Sequence, residues 1–352
     1  MTGSKLLEAA VAGEERAFAE LVEPHRGLLH AHCYRMLGSV HDAEDAVQET
    51  LLRAWRSLSS FQGRSSLRSW LYTIATNVCL REIERRPGRV LPIDYGPPAD
   101  PHRPLGEPVV ESTWIEPYAD ERLGLDDGLA GPEARYEQRE SVELAFIAAL
   151  QHLPARQRAV LILRDVLGFS GAEVAGALQT TPASVYSALQ RAHEAVDHRL
   201  PELSQQATLS SLGNARLREI VDRYVQAWEG HDIDAIVAML TQSATIAMPP
   251  TATWYRGREA VAAFLGARPL DGSLRWRLTP ARASGQLAAR AELWDPATGG
   301  FRPHHTAVLT LHGGQISEIN TFLDPWALTP DAPEGDGCRR ERPTDSDPSL
   351  DL

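Results

Sequence analysis

Cysteine is scarce in this chain: three among 352 residues, Cys33, Cys79 and Cys338, far apart and odd in number. They match no zinc-ligand spacing and cannot close a disulfide framework, so no structural metal and no cross-linked secreted scaffold is expected. Thiols in a reducing compartment are what remains. Long apolar runs are missing too, since nothing reaches the roughly 18 consecutive apolar residues of a spanning helix, and no membrane partner is expected. The opening stretch, MTGSKLLEAAVAGEERAFAE, lacks the apolar core of a signal peptide, so the expected location is cytoplasmic. Cations are also short: 35 Lys and Arg against 47 Asp and Glu leave a net charge of −12. That balance argues against nucleic acid, because phosphate neutralisation needs a basic face. The mean hides the distribution, however. Acidic residues crowd positions 94 to 140 and the tail after Asp331, whereas Arg81, Arg85, Arg86 and Arg89 fall close together.

What is present reads as soluble globular protein, 43% hydrophobic and 23% charged. At roughly 150 residues per domain the length suggests two or three domains. Apolar residues at three- and four-residue spacing make residues 4–88 a helical block. Proline and glycine then mark residues 89–132 as a linker, and a second helical block occupies 133–203. Residues 211–330 open with the helix ARLREIVDRYVQAWEGHDIDAIVAML and continue as short alternating runs such as LAARAELWD and HHTAVLTLHGG. Helices followed by strands indicate an α+β domain in which a curved antiparallel sheet wraps a helix. Residues 331–352 are polar and proline-rich, the composition of a disordered tail.

Two stretches carry most information. In HDAEDAVQET, Asp42, Asp45 and Glu49 share one helix face with Gln48 beside them, while Ala43, Ala46, Val47 and Leu51 supply the apolar face. A solvated acidic face is the plainest meaning of such a cluster. In the second block, Ser170 and Glu173 fit a capping box, and Thr181 followed by Pro182 fits an N-cap and N1 pair that restarts a helix. Short helix, tight turn, longer helix with Val185, Leu189 and Ala192 on one face is a helix-turn-helix pattern; an ordinary helical hairpin is the alternative.

The acidic stretch, followed by FQGRSSLRSWLYTIATNVCLREIERR, resembles region 2 of extracytoplasmic-function sigma factors of the sigma-70 family. The second block resembles their region 4, and YVQAWEGHDIDAIVAMLTQSATIAMPP, WYRGREAVAAFL and INTFLDP resemble the SnoaL-like branch of the nuclear-transport-factor-2-like cone fold. The resemblance implies a multidomain chain: two all-α domains, a region 2 bundle and a region 4 helix-turn-helix, then an α+β SnoaL-like cone. It implies a chain that binds core RNA polymerase, through the β′ clamp and the β subunit, and directs promoter-specific initiation. Asp42, Asp45, Gln48 and Glu49 would then contact polymerase. Phe61, Arg64, Ser65 and Ser66 would hold a flipped base of the minus-10 element, whose unstacking costs a few kcal/mol that a closed pocket can recover, and Asn77, Arg81 and Arg85 would face that DNA. Trp55 and Trp70, among apolar neighbours, are expected to pack in the core.

For the minus-35 element the candidates are Thr181, Ser184, Ser187 and Arg191, with Arg156 and Arg158 near the DNA backbone. Here the chain departs from the family: Tyr186 and Ala188 stand where Lys and Arg often sit, His193 lies near the helix end, and Arg191 is the principal cation. In the cone, Trp254, Tyr255, Trp276, His304 and Asp324, with Trp294 and His305, could line a pocket for a small ligand or form a contact. An Asp–His pair would suit proton transfer, yet cones of this type host enzymes and non-catalytic modules alike. No catalytic residue, cofactor or metal is assigned. Rival readings are a stand-alone helix-turn-helix regulator with a ligand-binding domain, and a SnoaL-type enzyme with helical appendages. A regulator in cis is the expected role of the cone.

Overall fold

The computed structural model describes residues 3–61, 63, 65–86, 88–109, 113–123, 138–201 and 203–324. The tail, 331–352, lies outside them. Helices α1 (Gly3–Val11), α2 (Glu15–Leu37), α3 (Val40–Ser57) and α4 (Leu67–Arg85) form the first bundle. The turn from α2 to α3 takes two residues: Gly38, at φ 71°, donates its N–H to Tyr34, and Ser39 then caps α3 by accepting from the Asp42 N–H. Only glycine adopts that left-handed C-terminal position without strain. Ala43, Ala46, Val47, Thr50, Leu51 and Ala54 form the buried face of α3, as its periodicity predicts. Cys33 and Cys79 are buried free thiols. Trp55 packs on Phe18 at 5.1 Å and Trp70 on Phe61 at 5.0 Å between ring centroids, so both tryptophans serve the core.

Burial at the α2–α4 contact has a consequence for acid stability. His32 Nε2 lies 2.9 Å from Thr76 Oγ1, and burial, with the Arg35 charge, lowers its pKa from 6.5 to about 3. The unfolded chain therefore binds a proton that the folded chain refuses throughout that window, and stability falls as pH drops below 6.5. At about 1.4 kcal/mol per pH unit, acidification by roughly 1.5 units below 6.5 is expected to remove about 2 kcal/mol through this ring. Urea midpoints of wild type and His32→Gln at neutral and mildly acid pH check this: the variant should lose that share of the slope.

The segment expected to be a linker is a strap rather than a tether over its described residues. After a single turn, α5 (Pro92–Tyr95), it buries Trp114, Ile115 and Tyr118. Tyr34 donates its hydroxyl proton to the Glu116 carbonyl at 2.7 Å, and His30 Nδ1 meets the Tyr118 hydroxyl at 2.9 Å. Farther back, Ala99 N–H bonds the Trp254 carbonyl and Trp254 Nε1 donates to Gly96, each at 2.8 Å. An aromatic cluster inside a proline-rich stretch signals such docking, because ordering the chain must be offset by buried apolar area.

The second helical block contains α6 (Leu144–Gln151), α7 (Ala155–Leu161) continued by a wide turn over Ile162–Val166, α8 (Gly171–Ala177) and α9 (Pro182–Asp197). The C-terminal domain contains α10 (Gln205–Glu229), α11 (Ile233–Met239), α12 (Arg258–Ala267) and a six-stranded sheet ordered β2-β1-β6-β5-β4-β3. Its strands are β1 (Leu240–Ala247), β2 (Trp254–Arg256), β3 (Trp276–Ala283), β4 (Gln286–Asp295), β5 (Gly300–His312) and β6 (Gln315–Leu323). Neighbours are antiparallel except β1 and β6, which are parallel. Register shifts between Ala291 and Glu292 and between Thr310 and Leu311 bend the long strands around α10. One apolar core fills the cone. Another runs without a break from the first bundle through the strap into the helix-turn-helix, and reaches Ala283, Ala288 and Val308 of the sheet.

Candidate polymerase and promoter surfaces

On α3 the acidic face forms as its spacing implies, but its members differ in freedom. Asp45 and Gln48 are exposed. Glu49 holds Arg53 at 2.6 Å. Asp42 is locked between Arg86 at 2.5 Å and the buried Arg89 at 2.6 Å. Burial alone would raise the Asp42 pKa, and the two guanidiniums reverse this and hold it below the usual carboxylate range. Glu116 of the strap completes the turn, accepting from the Val40 N–H at 2.8 Å and the Ser39 hydroxyl at 2.9 Å. Because it lies in the proline-rich stretch, sequence reasoning missed it. Asp42, Asp45 and Glu49 also share one groove with Arg81 and Arg85 of α4, so the acidic and basic candidate surfaces adjoin.

The minus-10 candidates divide. Ser65 and Arg81 are exposed, and Arg85 is exposed beside Glu82 at 3.4 Å. Phe61 is committed to Trp70, and Ser66 caps α4 by accepting from the Ser69 N–H at 3.0 Å. Arg64 lies outside the described residues. Asn77 turns toward the other helical block: its amide donates to the Thr73 carbonyl at 2.8 Å and to the Ala177 carbonyl of α8 at 3.4 Å. Its neighbours do likewise, with Arg68 donating to the Leu167 carbonyl at 3.1 Å and Ser69 to Glu173 at 3.3 Å. The stretch of α4 from Arg68 to Asn77 thus meets the helix-turn-helix, while Arg81 and Arg85 stay exposed.

Within that motif both halves of the Ser170–Glu173 capping box form. Thr181 caps α9 by accepting from the Ser184 N–H at 3.2 Å, and the two hydroxyls lie 3.0 Å apart. Val185, Ala192 and Val196 are buried, while Thr181, Ser184, Ser187 and Arg191 are exposed. His193 meets Asp165 at 2.5 Å. Arg156 is exposed, but Arg158 is not a candidate for the DNA backbone. It is 2% exposed, donates to Gln151, Leu153 and the Met36 carbonyl, and burial lowers its pKa to about 10. Its position two residues after Arg156 on a short helix turns it inward, toward the seam with the first bundle.

The residues grouped as a C-terminal pocket come apart. Trp254 faces the strap, and Tyr255 stacks on Phe264 at 4.9 Å. Trp294 packs beside Phe301 and Arg275. Trp276 meets His304 at 4.9 Å and His305 at 5.6 Å, with Trp228 of α10 completing the cluster. Adjacent strand residues normally point to opposite faces. Here Ala291 pairs with His305 and Glu292 with Pro303, so His304 is the extra residue of a bulge, and the two Nδ1 atoms meet at 2.9 Å. Burial lowers the His304 pKa to about 4, and burial, with the neighbouring His304, also lowers that of His305 well below its ordinary value. Asp324 donates its backbone N–H to the His304 carbonyl at 2.8 Å and also lines a groove with Pro249, Pro250 and Phe322 that opens toward α3.

All units meet at the β3–β4 hairpin tip. Ser284 donates its N–H to the Tyr118 carbonyl at 2.6 Å, and its hydroxyl accepts from the Tyr118 N–H at 3.1 Å. The Gly285 N–H donates to Asp120 at 2.8 Å, and Gln206 donates to the Gly285 carbonyl at 2.5 Å. Beside the tip, Glu143 accepts the backbone N–H groups of Gln205 and Gln206 at 3.0 and 2.7 Å. Burial nevertheless pushes the Glu143 carboxyl up to about 7.

With these surfaces defined, the matches to known proteins fall into place. Sigma-70 region 2 matches residues 21–87, Sigma-70 region 4 matches 143–196, and a SnoaL-like domain matches 221–319. ECF RNA polymerase sigma factor SigG of Mycobacterium tuberculosis is 43% identical over 316 residues, 89% of this chain and 83% of that one. ECF RNA polymerase sigma factor SigE of Mycolicibacterium smegmatis is 30% identical over 217 residues, 60% of this chain and 72% of that one. The crystal structure of the Mycobacterium tuberculosis extracytoplasmic function sigma factor SigJ aligns with a TM-score of 0.55 at 25% identity, over 90% of this chain and 99% of that one. A stand-alone regulator has no use for region 2, and that reading is not supported. The chain belongs to the extracytoplasmic-function RNA polymerase sigma factors and carries a SnoaL-like domain after its region 4.

Proposed function

We propose that this sigma factor docks core RNA polymerase through Asp42, Asp45, Gln48 and Glu49, engages the minus-10 element through residues 61–66 and the Asn77–Arg81–Arg85 face, and reads the minus-35 element with α9. The SnoaL-like domain holds regions 2 and 4 closed until polymerase separates them. The observation that carries this reading is the Asn77 bond to Ala177: in the closed chain, region 4 occupies the Asn77 end of the helix face that minus-10 DNA requires, while Arg81 and Arg85 stay exposed. The acidic face stays open at Asp45 and Gln48, so polymerase can engage before the promoter surface is uncovered. An equilibrium of this kind shifts only by the difference in a partner's affinity for the two states. Core polymerase, binding the opened form better, supplies it.

Dyes at the exposed positions Glu84 and Ala172, with Cys338 replaced by Ser, report the separation of regions 2 and 4. Energy transfer should fall when core polymerase is added. An unchanged signal on a chain shown to be core-bound would refute the opening. The free chain, with net charge −12, should bind promoter duplex weakly at physiological salt.

A further inference from the structure

We propose that Gln190 is the principal base-reading residue of α9, selecting an adenine in the minus-35 element, and that Glu194 positions its amide. The proposal rests on α9 being the recognition helix. Buried Val185, Ala192 and Val196 fix the inward side of that helix. At 100° per residue the opposite side is the row Ala183, Ser187, Gln190 and Glu194, all exposed. Tyr186, 55% exposed with Arg164 5.9 Å from its ring, flanks the row on one edge, and Arg191 on the other.

What this row can read follows from its chemistry. Arginine and lysine make the bidentate contact to guanine; between Pro182 and Gln190 the sequence has neither. The hydroxyls of Thr181 and Ser184 are engaged with one another at the helix cap. Ala183 offers only a methyl group, suited to thymine, and Ser187 a single hydroxyl that bonds any base. Gln190 is the one side chain of the row that carries a donor and an acceptor on separate atoms of one planar group, the bidentate pattern complementary to adenine N7 and N6.

An amide can present that pattern either way round, and Glu194 removes the ambiguity. The Gln190 nitrogen lies 3.1 Å from Glu194 Oε1. A carboxylate only accepts, so the nitrogen must face it. One N–H is thereby held, leaving the second N–H and the carbonyl oxygen for the base edge. A carboxylate on the DNA-facing row also repels phosphate, which keeps binding dependent on the base contact and on polymerase.

The test is transcription by the reconstituted holoenzyme on a promoter library randomised across the minus-35 element. Wild type should enrich adenine at one position by about tenfold, the discrimination of a good bidentate contact. Gln190→Ala should flatten that position alone, and Gln190→Arg should convert it to guanine. Glu194→Ala should reduce the enrichment partway, with unchanged helicity. Arg191→Ala should weaken use of all sequences alike, as a phosphate contact does. A Gln190→Ala profile identical to wild type overturns the assignment while leaving region 4 as the reader. A wild-type library with no minus-35 preference at all overturns the reading of α9 itself.

Discussion

Gly285→Ala is expected to raise promoter-dependent transcription several-fold at equal core occupancy, although the residue lies in the SnoaL-like domain, outside both helices proposed to read the promoter. Gly285 has φ 67°, and a Cβ there would stand 2.5 Å from the Arg139 carbonyl oxygen and 3.1 Å from Gln206 Nε2. The left-handed conformation costs a non-glycine residue about 1 kcal/mol, and backbone overlap adds to that. Relief requires the hairpin tip to leave the seam, which gives up its bonds to Asp120 and Gln206. A shift of about 2 kcal/mol changes an equilibrium roughly 30-fold, enough to populate the open chain before polymerase arrives. Gly299→Ala is the control: it has φ 66° and nothing within 4 Å of its Cβ, so it carries the backbone cost without the collision. Matched runoff assays on the two variants and wild type decide the matter. Equal activities, with energy transfer showing the Gly285→Ala seam open, would leave the domain with no role in cis.

Where local rules govern, the sequence announced the structure. The Ser170–Glu173 box, the Thr181–Pro182 restart and the α3 apolar face depend on neighbours within one or two helical turns, and each formed as expected. The alternating runs became strands for the same reason. Long-range partners were not announced. Asn77 and Arg158 sit on surfaces that face solvent only if regions 2 and 4 are separate, and they bond across the seam because the two share a core. The candidate cone pocket dispersed for a third reason. Which face a strand residue takes depends on register, and the bulge at His304 re-aims two side chains at once. Trp114, Ile115 and Tyr118 could have been weighed by their apolar character; the prolines around them hid it.

The largest loss should come from reversing the part of the acidic face that, among the described residues, bonds no neighbouring element: exposed Asp45, and Glu49, which pairs within α3 with Arg53. Asp45→Lys with Glu49→Lys turns two negative charges into two positive ones on a surface that would dock against a cationic partner, and rim charges of this kind govern docking and its specificity. Core binding should fall more than about a hundredfold, in keeping with the several kcal/mol that like-charge juxtaposition costs. The fold should tolerate the change. Asp45 is exposed, and Glu49 gives up only a partly exposed i,i+4 pair with Arg53, worth about 0.3–0.5 kcal/mol. Asp42 would not serve for this test, although it belongs to the same face. Its carboxylate is the shared partner of Arg86 and Arg89, and a lysine there would confront two guanidiniums, one of them buried, at a cost of about 3–5 kcal/mol. Loss of binding in Asp42→Lys would therefore report unfolding of the α2–α3 turn rather than a lost contact. Competition for core polymerase, read beside helicity and the urea midpoint of each variant, separates the two. If the doubly reversed chain, Asp45→Lys with Glu49→Lys, keeps wild-type affinity for core while remaining fully helical, the docking surface moves off α3.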